Sequence, residues 1–267
     1  MVDLSLYFNC ENINNYVCLE GMTSISALIN GIRTGVNNRI IRYVLIDQQK
    51  MASRSKDLSF LKAVSDELSF EIIPVDRNCV DQIANGNTHG GIIALCTDRS
   101  LPFLHEKIKE APWNRTDGFF VILEGVEDPY NFGYALRALY AAGVDGVILS
   151  PRNWMSAASV VARSSAGASE LLPMAISDSI DAAKLLKSNG YRVICAGIRD
   201  SVPMTQSDMK RPLLLVVGGE KRGISRALLE QADQIVRIEY GRAFRGSLST
   251  ASATTVLAFE ALRQNSY

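Results

Sequence analysis

The sequence predicts an α/β fold in which helices cover a largely parallel β-sheet. Short runs of β-branched and other apolar residues alternate with stretches whose apolar residues recur at helical spacing. Strands that alternate with helices in this way form parallel sheets with helices on both faces. The composition agrees, because 267 residues with 47% hydrophobic and 7% aromatic side chains are typical of a globular chain of one large or two modest domains.

The first third of the chain contains three predicted strands and two predicted helices. Ile40–Ile46 is rich in β-branched residues, and Phe70–Val75 and Gly91–Cys96 are further strands. Thr23–Ile32 begins with residues that cap helices and carries apolar side chains at helical spacing. Lys56–Leu68 has leucine and valine side chains at the same spacing. This part of the chain is therefore predicted to be a small α/β domain.

The segment Thr97–Thr116 interrupts the alternation. It contains two prolines and a charged stretch, and it has no strand signal. We therefore expect a linker at 99–116, which divides the chain into a first domain at 1–98 and a second domain at 117–267.

A second series of strands and helices follows the linker. The predicted strands are rich in Val, Ile and Leu, and they are Gly118–Leu123, Gly146–Leu149, Tyr191–Cys195, Leu213–Val217 and Gln234–Ile238. The predicted helices are 131–142, 158–166, 179–188, 224–232 and 250–263. Their order predicts a parallel sheet in the second domain.

Charge, hydropathy and cysteine content narrow the function classes. The 28 Lys and Arg residues balance 28 Asp and Glu residues, which excludes a uniformly basic nucleic-acid binder and leaves local patches. No apolar run approaches the roughly 20 residues of a membrane helix, and the N-terminus lacks a signal-peptide pattern. Five cysteines without a CxxC pair predict buried thiols in a reducing compartment, and two histidines make a metal cluster improbable. We expect a cytoplasmic protein without a membrane segment or a metal.

Candidate functional residues follow the predicted strands of the second domain, because ligands of open parallel sheets bind outside the carboxyl ends of the strands. After 118–123, Asp128-Pro129 marks a turn and Asn131 is placed to cap a helix. Arg137 lies one to two turns inside that helix. After the strand at 213–217, the loop 218–223 reads Gly-Gly-Glu-Lys-Arg-Gly, and its glycines let the backbone approach a ligand closely.

The loop after the last predicted strand carries Arg242 and Arg245, followed by Ser247-Leu248-Ser249. Neither this loop nor the earlier ones contain the G-x-G-x-x-G of dinucleotide sites or the Lys-Ser/Thr ending of phosphate loops. A serine hydrolase is disfavoured, because the G-x-S-x-G elbow is absent and both histidines precede this domain. The arginines are suited to phosphate contacts.

Together, these loops resemble the three signature motifs of the SpoU-type RNA 2′-O-ribose methyltransferases of the SPOUT superfamily. The first motif of that family has an Asn, a Gly two residues later and an Arg four residues after that. Asn131, Gly133 and Arg137 stand at this spacing.

The other two motifs follow in the family's order. The second, Gly-x-Glu-x-x-Gly, is matched at 218–223. The third, Ser-Leu-Asn before a helix of small residues, is matched at 247–249, except that Ser249 replaces the asparagine. The Ile-Pro-Met that usually precedes it is Ile238-Glu239-Tyr240 here. The resemblance covers 118–263.

The resemblance implies a fold and an activity. The fold is a C-terminal SPOUT-type parallel-sheet domain with a trefoil knot, preceded by a small α/β RNA-binding domain that resembles a ribosomal protein. The activity is S-adenosylmethionine-dependent methylation of a ribose 2′-hydroxyl in RNA, with ribosomal RNA favoured over transfer RNA. Members of the family are typically homodimers and need no metal.

The resemblance also assigns roles to residues. Arg137 would activate or orient the 2′-hydroxyl, Asn131 and Ser249 would orient the substrate, and Glu220 would hold Arg137. The residues expected to bind the cofactor lie in the second and third motifs and the strand end between them, and they are Gly218, Gly219, Glu220, Gly223, Ile238, Ser247 and Leu248. The RNA contacts expected from local clusters of positive charge are Arg33, Arg39, Arg222, Arg242 and Arg245.

Two other function classes stay open on the sequence. The first is a catalytically silent RNA-binding or assembly factor on the same fold, which Ser249 and the altered loop at 239–246 favour slightly. The second is a nucleotide-dependent oxidoreductase on a doubly wound sheet, against which the missing G-x-G-x-x-G argues. S-adenosylmethionine binding discriminates the methyltransferase from both.

Overall fold

The computed structural model describes residues 15–151, 157–243 and 245–265, which form two compact units. The first unit contains residues 15–100 together with 157–171, and the second contains the other described residues from 101 onward. The segment 157–171 thus belongs to the first unit, although the sequence pattern assigns it to a second domain at 117–267.

The secondary structure alternates as predicted. The strands are β1 (Val17–Glu20), β2 (Ile41–Asp47), β3 (Glu71–Val75), β4 (Ile92–Cys96), β5 (Phe119–Glu124), β6 (Gly146–Leu149), β7 (Met174–Ile176), β8 (Arg192–Ala196), β9 (Val202–Pro203), β10 (Leu213–Gly218) and β11 (Gln234–Arg237). The helices are α1 (Gly21–Arg33), α2 (Ser55–Leu68), α3 (Arg77–Ile83), α4 (Leu104–Lys107), α5 (Pro129–Ala141), α6 (Ala158–Ser164), α7 (Ala168–Leu171), α8 (Ser179–Ser188), α9 (Arg226–Leu229) and α10 (Thr250–Asn265).

The first unit is built on a mixed four-stranded sheet in the order β1-β4-β2-β3. Strands β2 and β3 pair in parallel, whereas β4 is antiparallel to β1 and β2. Successive residues of a strand point to opposite faces. On β2, Val44 and Ile46 therefore pack in the cluster that holds α1 and α2, and Leu45 packs in the cluster that holds α3. Ala162 of α6 joins the first of these clusters.

The second unit is built on a seven-stranded sheet in the order β7-β6-β5-β10-β8-β11-β9. Every neighbouring pair in this sheet is parallel, which confirms the predicted parallel α/β architecture. One face packs against α8 through Ala182, Ala183 and Leu186. Helix α10 packs against α5 and β10. The carboxyl ends of β8, β10 and β11 consequently lie side by side at one edge.

The predicted linker contributes to the core of the second unit. Leu104 and Trp113 are buried, and the Trp113 ring stacks on Phe120 with 5.1 Å between ring centroids. The prolines and charges of this segment break periodicity without preventing two large apolar side chains from packing inward. Three short strands, β1, β7 and β9, have no predicted counterpart, and the helix predicted at 224–232 is limited to the four residues of α9.

Candidate functional site

The carboxyl ends of β8, β10 and β11 surround a cavity of about 450 Å³. This volume lies within the range of roughly 300–1,000 Å³ that is usual for small-molecule sites. Each of the three strands is followed by a loop that lines the cavity. The lining residues include all seven predicted cofactor contacts, which are Gly218, Gly219, Glu220, Gly223, Ile238, Ser247 and Leu248.

The loop after β10 requires glycine because backbone packs directly on backbone. A Cβ atom at Gly218 would lie 2.4 Å from the carbonyl carbon of Gly223, and one at Gly219 would lie 2.2 Å from the carbonyl oxygen of Gly125. The Gly219 N–H donates to the Glu124 carbonyl at 2.7 Å, and the Gly223 N–H donates to the Gly219 carbonyl at 3.0 Å. The loop therefore presents main-chain atoms to the cavity, as a close approach to a ligand requires.

The end of β5 is fastened to the same loop. The Glu124 carboxylate accepts hydrogen bonds from the backbone N–H and the hydroxyl of Ser225 at 3.0 and 3.1 Å. Lys221 forms an ion pair with Glu127 at 2.6 Å. Lys221 is exposed, so this second contact contributes little. The Glu124 contact fixes the residues that follow the glycines.

Glu220 binds the start of α10. Its Oε1 atom accepts a hydrogen bond from the Thr250 N–H at 3.1 Å, and the Thr250 hydroxyl donates to the Gly218 carbonyl at 3.1 Å. A carboxylate at this position is favoured by the unpaired N–H groups and the dipole of a helix N-terminus. The expectation that Glu220 holds Arg137 is corrected, because within the described residues Glu220 is joined to Thr250 instead.

Ser249 caps α10. Its Oγ accepts a hydrogen bond from the Ser252 N–H at 3.2 Å and lies 3.1 Å from the Ser252 hydroxyl. Serine is among the preferred N-cap residues, and asparagine is another. Ser249, at the position where the motif has asparagine, therefore provides a capping contact at the start of the helix.

Tyr240 links the two ends of the loop after β11. The Leu248 N–H donates to the Tyr240 hydroxyl at 3.2 Å, and both residues line the cavity. Tyr240 stands where the family usually has methionine. Its hydroxyl is a stronger hydrogen-bond acceptor than the thioether sulfur of methionine.

Asn131 and Arg137, the two functional residues predicted on α5, lie on a helix whose first turn is capped by a side chain. The Asp128 Oδ2 atom accepts a hydrogen bond from the Asn131 N–H at 2.9 Å, and Pro129 opens the first turn. The cap is therefore Asp128, whereas Asn131 was the predicted cap. Arg137 is exposed on this helix and forms no ion pair within the described residues. Among the described residues, no hydrogen bond or ion pair joins Arg137 to Glu220 or Ser249.

The five arginines predicted to contact RNA differ in their surroundings. Arg222, Arg242 and Arg245 are exposed and form no ion pair with a described residue. They follow β10 and β11, and Arg245 lines the cavity. Arg33 is partly exposed and forms an ion pair with Glu67, so part of its charge is already compensated.

Arg39 is buried in the first unit and is a correction to the predicted RNA contacts. It is 5% exposed, and its Nε donates to the Glu170 carboxylate at 2.9 Å. Nη1 of the same guanidinium group donates to the Thr97 carbonyl at 2.9 Å. Burial favours a higher pKa for Glu170, but the charges of Arg39 and Arg99, with a hydrogen bond from Asn37, outweigh it and hold the pKa below its usual value. A guanidinium engaged in this way is not available to a phosphate.

The loop after β8 is the part of the cavity that sequence reasoning missed. Gly197 and Ile198, together with Ala196 at the end of β8, line the cavity although no recognised motif covers them. The rule that ligands bind at the carboxyl ends of parallel strands points to this loop as well, because β8 was predicted. Tyr240 and Thr250 were missed for another reason, since their roles depend on contacts across loops.

The buried thiols agree with the predicted behaviour of the cysteines. Cys18, Cys79, Cys96 and Cys195 are free and buried, while Cys10 lies outside the described residues. Burial raises the pKa of Cys195 to about 12. Within the described part of the chain, no helix has the length and apolarity needed to cross a membrane, and no three potential ligand side chains are grouped around a metal position.

Comparisons with known proteins agree with the motifs. The profile of the SpoU rRNA methylase family matches residues 118–259. The chain is 31% identical to the 23S rRNA (guanosine-2′-O-)-methyltransferase RlmB of Shewanella oneidensis, over 70% of this chain and 76% of the relative. The RlmB of Ralstonia nicotianae is 29% identical over 85% of this chain and 90% of the relative.

Solved structures show the same fold over nearly the whole chain. The SpoU methyltransferase AviRb from Streptomyces viridochromogenes, crystallised with AdoMet, matches with a TM-score of 0.73. The match covers 97% of this chain and 95% of that chain at 20% identity. An AdoMet-bound rRNA methyltransferase from Sinorhizobium meliloti matches with the same TM-score at 22% identity, over 95% of this chain and 89% of that one.

Proposed function

Because the chain belongs to the SpoU rRNA methylase family, we propose that it methylates a ribose 2′-hydroxyl of RNA with S-adenosylmethionine as the methyl donor. Ribosomal RNA is the proposed substrate, since the curated relatives RlmB act on 23S rRNA by name. The buried free cysteines suit a reducing compartment, so the proposed location is the cytoplasm.

The observation that carries the proposal is the cavity at the carboxyl edge of the second unit. The seven residues that the motifs assign to the cofactor come from two separate stretches, 218–223 and 238–248, and they line one cavity of about 450 Å³. Its walls combine backbone around Gly218 and Gly219 with apolar side chains such as Val217 and Leu257. A cavity lined by both peptide groups and apolar side chains fits S-adenosylmethionine, which has an adenosine moiety and a short amino-acid chain.

The residues that would hold the cofactor are those of the two glycine-containing loops. Gly218, Gly219 and Gly223 leave the main chain of this loop without side chains, so that a ligand can approach it closely. Glu220 and Tyr240 fix the loops through Thr250 and Leu248. The bound S-adenosylmethionine would supply an electrophilic methyl group.

The chain's own task is to present the hydroxyl and to manage its proton. Arg137 has no ion pair among the described residues, so its charge is available to a substrate phosphate or to the oxygen that gains negative charge. Arginine is a poor base because its pKa is very high. We therefore assign Arg137 a positioning and electrostatic role, with Asn131 and Ser249 as candidates for substrate hydrogen bonds.

Methyl transfer to ribosomal RNA tests the proposal directly. The purified protein, supplied with S-adenosylmethionine carrying an isotopic methyl label, should label ribosomal RNA at a ribose 2′-oxygen. Arg137→Ala should reduce this labelling by about a hundredfold or more, while calorimetry shows unchanged S-adenosylmethionine binding. The control Lys210→Ala changes an exposed cation at the amino end of β10 and should retain activity. Wild-type protein that binds RNA but neither binds S-adenosylmethionine nor labels the RNA would instead support a silent RNA-binding factor.

Assembly is the remaining part of the proposal. Tyr130 and Tyr134 are 44% and 50% exposed on α5, and Arg137 follows them one turn later on the same helix face. An exposed aromatic face beside the catalytic candidate favours a homodimer in which this face is covered. We also propose that the chain around the cavity forms the family's trefoil knot and that the first unit binds RNA.

A further inference from the structure

The turn after β8 exposes an isoleucine at the rim of the cavity. Ile198 lines the cavity, and 74% of its surface is open to solvent. Among the exposed large hydrophobic residues of the described chain, it is the most exposed. A single exposed apolar residue needs no explanation on its own. The position of Ile198 beside the candidate site, next to the exposed Arg199, distinguishes it.

The turn is held in place by its neighbours. The Ser201 hydroxyl donates to the Ile198 carbonyl at 2.6 Å, and the Arg237 guanidinium donates to the Ser201 carbonyl. The Gly197 N–H donates to the carbonyl of Val236 in β11 at 2.9 Å. Ile198 and Arg199 are thus displayed on a fixed backbone, which lowers the entropy cost of binding a ligand.

The arginines of the second unit divide into those with and those without an ion-pair partner. Those that pair with carboxylates within the unit are Arg115, Arg192, Arg211, Arg226, Arg237 and Arg263. Those that form no ion pair with a described residue are Arg137, Arg199, Arg222, Arg242 and Arg245. All of the second group lie in the loops or the helix that follow the carboxyl ends of β5, β8, β10 and β11. Arginine side chains without an ion-pair partner therefore follow the strand ends that surround the cavity. Their positive charge is suited to binding a polyanion.

We propose that Ile198 and Arg199 form a contact for an unpaired nucleotide of the RNA substrate, with the isoleucine against the base and the arginine on a phosphate. This inference rests on the proposed function and extends it to the state of the RNA at the site. The bases of a duplex are stacked and offer no free face, whereas an unpaired base can lie against an apolar side chain. Arginine binds phosphate oxygens through charge-assisted hydrogen bonds.

Binding measurements with two forms of one RNA test this contact. The probes are a fluorescein-labelled single-stranded RNA of mixed sequence and the same strand annealed to its complement. Ile198→Ala should weaken binding of the single strand by about threefold to tenfold, without changing its salt dependence, and should leave duplex binding unchanged. Ile198→Leu should restore the single-strand affinity. Arg199→Ala should weaken binding and reduce the salt slope by about 0.7 for the single strand.

The controls separate this contact from the rest of the site. Lys210→Ala, an exposed cation at the opposite sheet edge, should have a smaller effect than Arg199→Ala. Calorimetry with S-adenosylmethionine should give wild-type affinity for Arg199→Ala, and the RNA affinities of Ile198→Ala and the wild type are compared at saturating S-adenosylmethionine, because Ile198 lines the cofactor cavity. The contact is overturned if Ile198→Ala lowers cofactor affinity and spares RNA, if it weakens duplex and single strand alike, or if Arg199→Ala leaves the salt slope unchanged. Wild-type protein that binds neither RNA would contradict the proposed function itself.

Discussion

At the scale of single residues, two arginines have different roles. One is buried and pairs with a carboxylate in the first unit, and the other is exposed in the second unit and is proposed to act in methyl transfer. Arg39 and Arg137 are indistinguishable by residue type, and both were predicted functional residues. Arg39 is ion-paired with Glu170 in the interior, whereas Arg137 is exposed and without an ion pair among the described residues. The two arginines differ in burial, and the burial of a charged residue cannot be read from the sequence around it.

The Arg39 contact predicts a loss of stability. Arg39→Ala would leave the Glu170 carboxylate in the interior without its nearest charge, and we expect a decrease in the free energy of unfolding of about 3–5 kcal/mol. Arg42→Ala, three positions later and exposed, should change it by less than about 0.5 kcal/mol. Denaturant unfolding at neutral pH measures both. Equal, small losses would contradict a structural role for Arg39.

The same pair predicts a dependence on pH. The folded-state pKa of Glu170 is lowered, so its contribution to stability is complete above the ordinary carboxyl value of 4.5 and is lost as the pH falls through the folded-state pKa. Without Arg39, burial favours the protonated carboxyl group. The stability deficit of Arg39→Ala should therefore shrink when unfolding is measured at a pH below 4.5. A deficit that grows on acidification would oppose this assignment.

At the scale of elements, close backbone packing predicts which glycines the cofactor loop needs. Gly219→Ala places a Cβ atom 2.2 Å from the Gly125 carbonyl oxygen, and neither backbone can move without displacing β5 or β10. We expect S-adenosylmethionine affinity to fall by about tenfold or more, since overpacking costs on the order of 1–3 kcal/mol. Gly241→Ala is the matched control, because no atom lies within 4 Å of its added Cβ. Calorimetry that gives both variants the same affinity would contradict this account.

The elements that sequence reasoning predicted are those with long periodic patterns or dense apolar runs. Strands β2, β5 and β10 lie where the β-branched and leucine-rich runs place them. The strand β9 has two residues and pairs with β11 alone, so it carries too little pattern to be recognised. Helix α9 ends early for a similar reason, since only one of its four residues, Leu228, is fully buried. Elements this short are determined by their partners.

At the scale of the whole molecule, the proposed homodimer gives the clearest prediction. Tyr134→Arg would place a charge on the exposed face of α5 that also bears Arg137, and we expect a monomer in light scattering and loss of methyl transfer. Phe103→Arg is the control, because Phe103 is 47% exposed and precedes α4, outside α5. It should remain dimeric and active. An active monomeric wild type would refute the proposed assembly.

The two units cannot be separated by a single boundary in the sequence. Residues 157–171 follow the second unit's β6 in sequence, but the backbone of α7 packs on α1 so closely that a Cβ at Gly31 would lie 2.1 Å from the Glu170 carbonyl oxygen. A boundary drawn from composition assumes that neighbours in sequence belong together. The buried cluster of Arg39, Arg99 and Glu170 breaks that assumption in the first unit.

The sequence by itself determined the family, the parallel α/β class and the loops of the candidate site, and the family is confirmed by the profile match and the curated relatives. These properties can be predicted from sequence because motif spacing and periodicity are patterns of residues that lie close together in the chain. The tertiary structure alone decided that Arg39 is buried, that Glu220 binds α10 and that the β8 turn belongs to the cavity. Each of these results depends on tertiary contacts between residues that are distant in sequence. Those contacts determine which side chains are buried and which hydrogen bonds they form.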